Sequence, residues 1–148
     1  MRDLTGCVVL LTGATEGIGK AAAAEFAARG ATLTIVGRDS GKGEQTAKLL
    51  QDTTGNEDIY CLTGDLSKIA DILGVVNKFR ATHGRLDILV NNAGAIFNQY
   101  SFTVDGLEKT FALNHLAYFG LTTQLLDLIT RTPGARVVST GKQWAQDG

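Results

Sequence analysis

Proline is almost missing from this chain: among 148 residues only Pro133 is one, and it sits in a turn-like stretch. Helical segments elsewhere therefore run without a proline interruption. Cysteine is nearly as scarce. Cys7 and Cys61 are the only two, one in each of two apolar runs, which excludes a disulfide framework and reads as two small core residues in a reducing compartment. No run of 18 apolar residues occurs anywhere. The first residues, Met1, Arg2, Asp3 and Leu4, include an acid, and the apolar run that follows ends at Thr12 and Gly13, too short for a signal segment. A soluble, cytoplasmic protein without membrane insertion is the expectation. An excess of charge is absent too: 14 Lys and Arg against 15 Asp and Glu give a net charge of -1, with the signs interspersed, so a nucleic-acid partner is not expected. No linker, repeat or low-complexity block divides the chain, and one domain over residues 1–148 is expected.

Glycine is what the chain does have. Its 18 glycines exceed the typical share of about 7%, and they gather at turns. Between them, short β-branched runs alternate with longer stretches of helical period, the pattern of parallel βαβ units. Strands are predicted over 7–11, 32–36, 59–62, 86–90 and 136–140. Helices are predicted over 17–29, ended by Gly30, from Ser40 to about residue 50, and from Ser67 to His83, where Ile69, Ile72, Leu73, Val76 and Phe79 share a face. One long helix is predicted over 104–129, with more apolar surface than one side of a sheet requires, so that part of it packs elsewhere, a second subunit included. The fold class this gives is α/β: a Rossmann-type, doubly wound parallel sheet in three layers (α/β/α).

The chemistry gathers at the strand ends. Thr12-Gly13-Ala14-Thr15-Glu16-Gly17-Ile18-Gly19 joins the first strand to the first helix, where backbone N–H groups and the positive helix end suit a pyrophosphate. Gly13 permits the sharp exit, Gly17 lets backbone approach phosphate, and Gly19 allows close helix–sheet packing. After the second strand come Gly37, Arg38 and Asp39. Arg38 suits a ribose 2′-phosphate and so NADP(H) over NAD(H), against which stand the charges of Asp39 and Glu16 and the plainer reading of Arg38 as a solvated side chain. Asp65, after the third strand, either accepts from an adenine amine or caps the next helix. Asn91-Asn92-Ala93-Gly94 follows the fourth strand, its amides suited to tying loops together and its small residues leaving room for a ribose.

Together these stretches resemble the short-chain dehydrogenase/reductase family: the TGxxxGxG turn, the Asp65-Leu66 pair, the NNAG segment and Asn114, in matching order across residues 5 to about 138. Asp105-Gly106-Leu107-Glu108 and the stretch 111–116 are similar to its retinol-dehydrogenase-like and WWOX-like branch. The resemblance implies hydride transfer between NADP(H) and a small-molecule carbonyl or secondary alcohol, and a homodimer through helix 104–129. It implies that Gly13, Thr15, Glu16, Gly17, Ile18 and Gly19 form the cofactor turn and that Arg38 meets the 2′-phosphate. Asp65 and Leu66 would flank adenine, Asn92, Ala93 and Gly94 the ribose side, and Asn114 would hold a relay water. His115 reads as a packing or surface residue. In the family a Tyr assisted by a Lys four residues on, and a Ser, act on the substrate oxygen. Here the pattern departs, and the resemblance implies a fold incomplete at the C-terminus, without the family's later strands and the helix that follows. Ser139 matches that Ser only if two residues are deleted, and without the gap the position falls on Lys142; none of Tyr60, Tyr100 and Tyr118 has Lys four positions later.

Overall fold

The computed structural model describes residues 3–141. Five strands, β1 (Val8–Thr12), β2 (Thr32–Gly37), β3 (Ile59–Thr63), β4 (Ile88–Asn91) and β5 (Arg136–Ser139), form one parallel sheet in the order β3-β2-β1-β4-β5. The order reverses at β1, whose neighbours are β2 and β4. The connections leaving β1 and β4 therefore run to opposite faces of the sheet, and the C-terminal ends of these two strands are the place where an open parallel sheet holds its ligand crevice.

All five residues of β1 are buried, so the strand is covered on both faces and side-chain alternation shares it between two cores. Val8 and Leu10 pack with Leu89 on one face; Val9 and Leu11 pack with Leu33 and Ile35 on the other. On that second face lie α1 (Gly17–Ala28) and α2 (Ser40–Thr54). Helix α1 is nearly all alanine on its inner face, where Gly19, Ala23 and Ala27 are buried at four-residue spacing, and small side chains let its axis sit close to the sheet. The first face is covered by α3 (Ile69–Thr82), α5 (Ala117–Gln124) and α6 (Leu126–Arg131) through Val76, Phe79, Leu121, Leu125 and Leu128. The three-layer α/β/α arrangement is thus the one expected. At the bottom of the sheet Asp87 accepts from Val8 N at 2.8 Å and pairs with Arg85.

Three boundaries depart from the sequence reading. Helix α2 is capped by Asp39, which accepts from Lys42 N at 3.0 Å, rather than by Ser40, and it continues through Thr53 and Thr54 to Gly55. Helix α3 starts at Ile69, because Asp65 accepts from both the N–H and the hydroxyl of Ser67 and turns that residue into a loop.

The single helix expected over 104–129 does not exist. Asp105 and Gly106 lie in a turn closed by Thr103 N donating to Leu107 O, and Phe102 bridges Glu108 antiparallel. Helix α4 (Lys109–Phe111) begins only after it, passes into a π-helical turn, Ala112–Leu116, and continues as α5. A break at Leu125 separates α6. Helical periodicity marked the apolar positions but carried no sign of the extra residue in the π turn. Among the described strands β5 is an edge, and all four of its residues are exposed.

Candidate functional site

The crevice above β1 and β4 is built from backbone outward. Gly13 N donates to Val36 O at 3.0 Å as the chain leaves β1, and Gly13 takes φ +67°, a conformation glycine adopts without strain. The turn leans on the NNAG segment: a Cβ on Gly13 would stand 2.7 Å from Ala93 Cα. Thr12 is the hub of this contact. Its hydroxyl accepts from Asn92 N and Ala93 N, each at 3.0 Å, while Asn92 Nδ2 donates back to Thr12 O (3.2 Å) and Gly13 O (3.1 Å). Glycine at 19 is required by the same crowding, since a Cβ there would overlap the Gly13 carbonyl. Gly17 is the opposite case. It has φ +57°, is exposed, and has nothing within 4 Å of where a Cβ would stand, so its backbone borders open space. Glu16 precedes α1 and makes no side-chain cap; Ile18 is 78% exposed. The start of α1 thus offers unpaired N–H groups beside that space.

Arg38 is exposed at the end of β2, and Gly37 lies against Thr15, whose Cγ2 would be 2.9 Å from a Cβ there. Asp39 spends its carboxylate on capping α2, which directs its charge to that helix. Next to Arg38 a recess of about 430 Å³ is bounded by Asp65, Lys68, Asp71 and Lys78. Burial would raise the Asp65 pKa, but the Ser67 hydroxyl and N–H and the charges of Lys68 and Arg38 outweigh it and hold the carboxyl below the usual aspartate range, hence ionised at neutral pH. Leu66 is 5% exposed and packs into the core with Ile72 and Val75, so its side chain is a packing group. A larger recess of about 610 Å³ beside Tyr60 and His83 shares no residue with the glycine turn.

At the other end of the crevice Asn114, in the π turn, holds Ala95 in a two-point clasp: Ala95 N donates to its Oδ1 at 3.0 Å and its Nδ2 donates to Ala95 O at 2.8 Å. Gly94 fits because a Cβ would meet Asn114 Oδ1 at 2.8 Å. His115 is exposed and stacks on Phe111, centroids 5.1 Å apart. Ser139 ends β5 in register with Asn91 at the same sheet edge, and Thr140 Oγ1 contacts Asn92 Oδ1 at 3.3 Å. Lys142 lies outside the described residues.

The tertiary structure therefore gathers Gly13 to Gly19, Asn92 to Gly94 and Asn114 in one hydrogen-bonded frame, with Arg38 and Asp65 to its side. The sequence motifs contain Thr12 and Asp105 but give neither a role of its own. Thr12 could have been found, since a hydroxyl beside the first turn glycine is placed to reach the neighbouring loop. Asp105 could not, because its partner is the backbone N–H of Ile69, 36 residues away.

A family model for short chain dehydrogenases matches residues 7–148. Human retinol dehydrogenase 11 is 42% identical over 137 residues, 93% of this chain and 43% of its own length; the WW domain-containing oxidoreductase of Gallus gallus is 34% identical over 93% of this chain and 33% of its own length. The chain thus spans about two fifths of the length of the first of these curated relatives. Among solved structures the RhlG/NADP active-site complex of Pseudomonas aeruginosa is similar, with TM-score 0.80 and 33% identity over 94% of this chain and 57% of that one. By the frame around Gly13 and Asn92 and by these likenesses, the chain belongs to the short-chain dehydrogenase family of oxidoreductases, in its retinol-dehydrogenase-like branch.

Proposed function

We propose that this chain binds NADP(H) in preference to NAD(H) across the crevice. The turn formed by Gly13, Thr15, Glu16, Gly17, Ile18 and Gly19 would hold the pyrophosphate through its free backbone N–H groups, Arg38 would meet the 2′-phosphate, Asp65 and the Leu66 backbone the adenine, and Asn92, Ala93 and Gly94 the ribose. The observation that carries this reading is the open backbone at Gly17 beside an uncapped helix start, with the Arg38 guanidinium free of any ion pair among the described residues. The donor set fits the group: unpaired N–H groups for phosphate, one exposed guanidinium for the extra phosphate, one ionised carboxylate for an amine. NADP(H), when bound, supplies or accepts hydride toward a carbonyl or secondary alcohol. The chain's own residues would bind and orient it, with Asn114 fixing the Ala95 backbone at the nicotinamide end and Ser139, in register with Asn91, standing as the family's Ser. We place the protein in the cytoplasm, and among the described residues no helix is long and apolar enough to cross a membrane. A homodimer would use the outward residues Phe111, Phe119 and Leu126, all exposed.

A second reading is favoured by the sequence itself: with no Tyr followed four residues later by Lys, the 148 residues hold the cofactor without turning substrate over. Titration of the purified chain with NADPH and NADH, followed by thermal shift and by turnover of carbonyl substrates, tests both. NADPH-preferring stabilisation without turnover supports the second reading, and turnover removes it. Arg38→Ala should cost NADPH about tenfold in affinity and leave NADH within twofold, as expected for one charge-assisted phosphate contact. Equal losses would remove the basis for the NADP(H) preference.

A further inference from the structure

The Asp105-Gly106-Leu107-Glu108 segment has no part in the proposed cofactor contacts, yet it is bonded to both ends of the crevice. It forms a tight hairpin. Thr103 N donates to Leu107 O at 2.7 Å, the Thr103 hydroxyl accepts from Asp105 N (3.2 Å) and Leu107 N (3.3 Å), and Lys109 N donates to Ser101 O at 2.9 Å. From it two carboxylates leave in different directions. Asp105 Oδ2 accepts from Ile69 N at 2.9 Å, the first residue of α3. That helix is preceded by Lys68, whose side chain has no oxygen to cap with, so the hairpin supplies a cap the local sequence lacks. Glu108 caps α4, its Oε1 accepting from Thr110 N at 3.0 Å and its Oε2 from Phe111 N at 2.7 Å.

Each capped helix adjoins one end of the site. The first turn of α3 holds the Asp65 loop, since Asp71 Oδ2 accepts from Asp65 N at 2.8 Å and Lys68 N donates to Asp65 O at 2.9 Å. Helix α4 runs into the π turn whose Asn114 clasps Ala95. We propose that Asp105 and Glu108 are positioning residues: one rigid hairpin fixes the Asp65 loop and the Asn114–Ala95 clasp relative to each other, and so sets the span over which a dinucleotide's two ends are read. This inference rests on the dinucleotide reading above.

The experiment uses the full 148-residue chain and two probes. Adenosine 2′,5′-bisphosphate reads the adenine end, by calorimetric titration, and the emission wavelength of bound NADPH reads the nicotinamide end. Asp105→Ala should weaken the bisphosphate about fivefold, the size of a lost cap, with the NADPH emission unmoved. Asp105→Asn keeps an acceptor for Ile69 N and should stay within twofold of the unsubstituted chain. Glu108→Ala should shift the emission and leave the bisphosphate within twofold. Should Asp105→Ala not fold, Asp105→Glu, whose longer arm overshoots the Ile69 N–H, must show the same bisphosphate loss. An Asp105→Ala chain that binds the bisphosphate normally, or two variants that move both probes alike, would overturn the proposal. If the unsubstituted chain binds neither probe, the dinucleotide reading fails first and takes this inference with it; the unsubstituted titration alone tells the two failures apart.

Discussion

Replacing Gly19 by alanine sets two effects of opposite sign against each other. Position 19 lies in α1, where helix propensity favours alanine over glycine by about 1 kcal/mol. The added Cβ, however, would overlap the Gly13 carbonyl oxygen and stand 2.8 Å from its carbon and 2.5 Å from Asn92 Nδ2. Two of those atoms are backbone at a turn already fixed by the Val36 carbonyl and the Ala93 contact, so relief requires α1 to move off the sheet. Overpacking of this kind costs about 1–3 kcal/mol, and pushing Asn92 away forfeits its bond to Gly13 O, about 1 kcal/mol more. The steric effect wins, with a net loss of about 1–3 kcal/mol and a fall in Tm of roughly 3–10 °C. Gly74→Ala in α3 is the matched control. Nothing lies within 4 Å of its added Cβ, so propensity acts alone and the variant should gain about 0.5–1 kcal/mol. Urea unfolding followed by circular dichroism, on both variants and the unsubstituted chain, reads the contrast. A Gly19→Ala chain as stable as Gly74→Ala would refute the claim that α1 is seated by contact with the Gly13 carbonyl and Asn92.

Two further outcomes follow from named contacts. Burial would raise the Asp87 pKa, but the Arg85 side chain and the Val8 N–H outweigh it and hold the carboxyl below the ordinary value. A depressed pKa contributes stability that is present above the unfolded aspartate value of about 3.9 and is lost as pH falls through the lower folded value. Asp87→Asn, which can still accept from Val8 N, should therefore flatten the decline in stability below about pH 4, measured as urea midpoints across pH 3–7; an unchanged decline would assign it to other carboxylates. Asn114→Ala strips both partners from the Ala95 backbone, costing about 1–3 kcal/mol for the half-buried groups left behind. The Ala95 amide should then lose hydrogen-exchange protection while Val9 in the sheet keeps its own, and equal loss at both would mean global unfolding instead.

Much of the fold could be read from local pattern. The strand runs are short, β-branched and separated by helical period, and each appears within two residues of its predicted place; β1, β2 and β4, which are mainly buried, have little freedom in composition. The glycine turn was equally plain, since the exit from β1 needs a positive φ and the contacts at Gly13 and Gly19 exclude a Cβ. The 104–129 segment was misread for a matching reason. Apolar spacing records which face of a helix is buried, whereas the Asp105–Gly106 turn is closed by polar bonds around Thr103 and the π turn at Asn114 is tied to Ala95, and neither changes that spacing. Asp65 kept two readings open until the structure showed its carboxylate bonded to Ser67 while still facing the recess beside Arg38.

By itself the sequence determined the class of the chain, the alternation of strand and helix, and the residue types gathered at the strands' C-terminal ends, since these follow from periodicity and from the steric demands of single positions. Only the tertiary structure decided how those positions act on one another. Thr12 became the hub between two loops, Leu66 went into the core and Asp105 reached across to cap α3. Each of those outcomes depends on a backbone N–H or a packing surface brought from elsewhere in the chain, and a partner supplied by folding leaves no trace in the spacing of the residues that meet it.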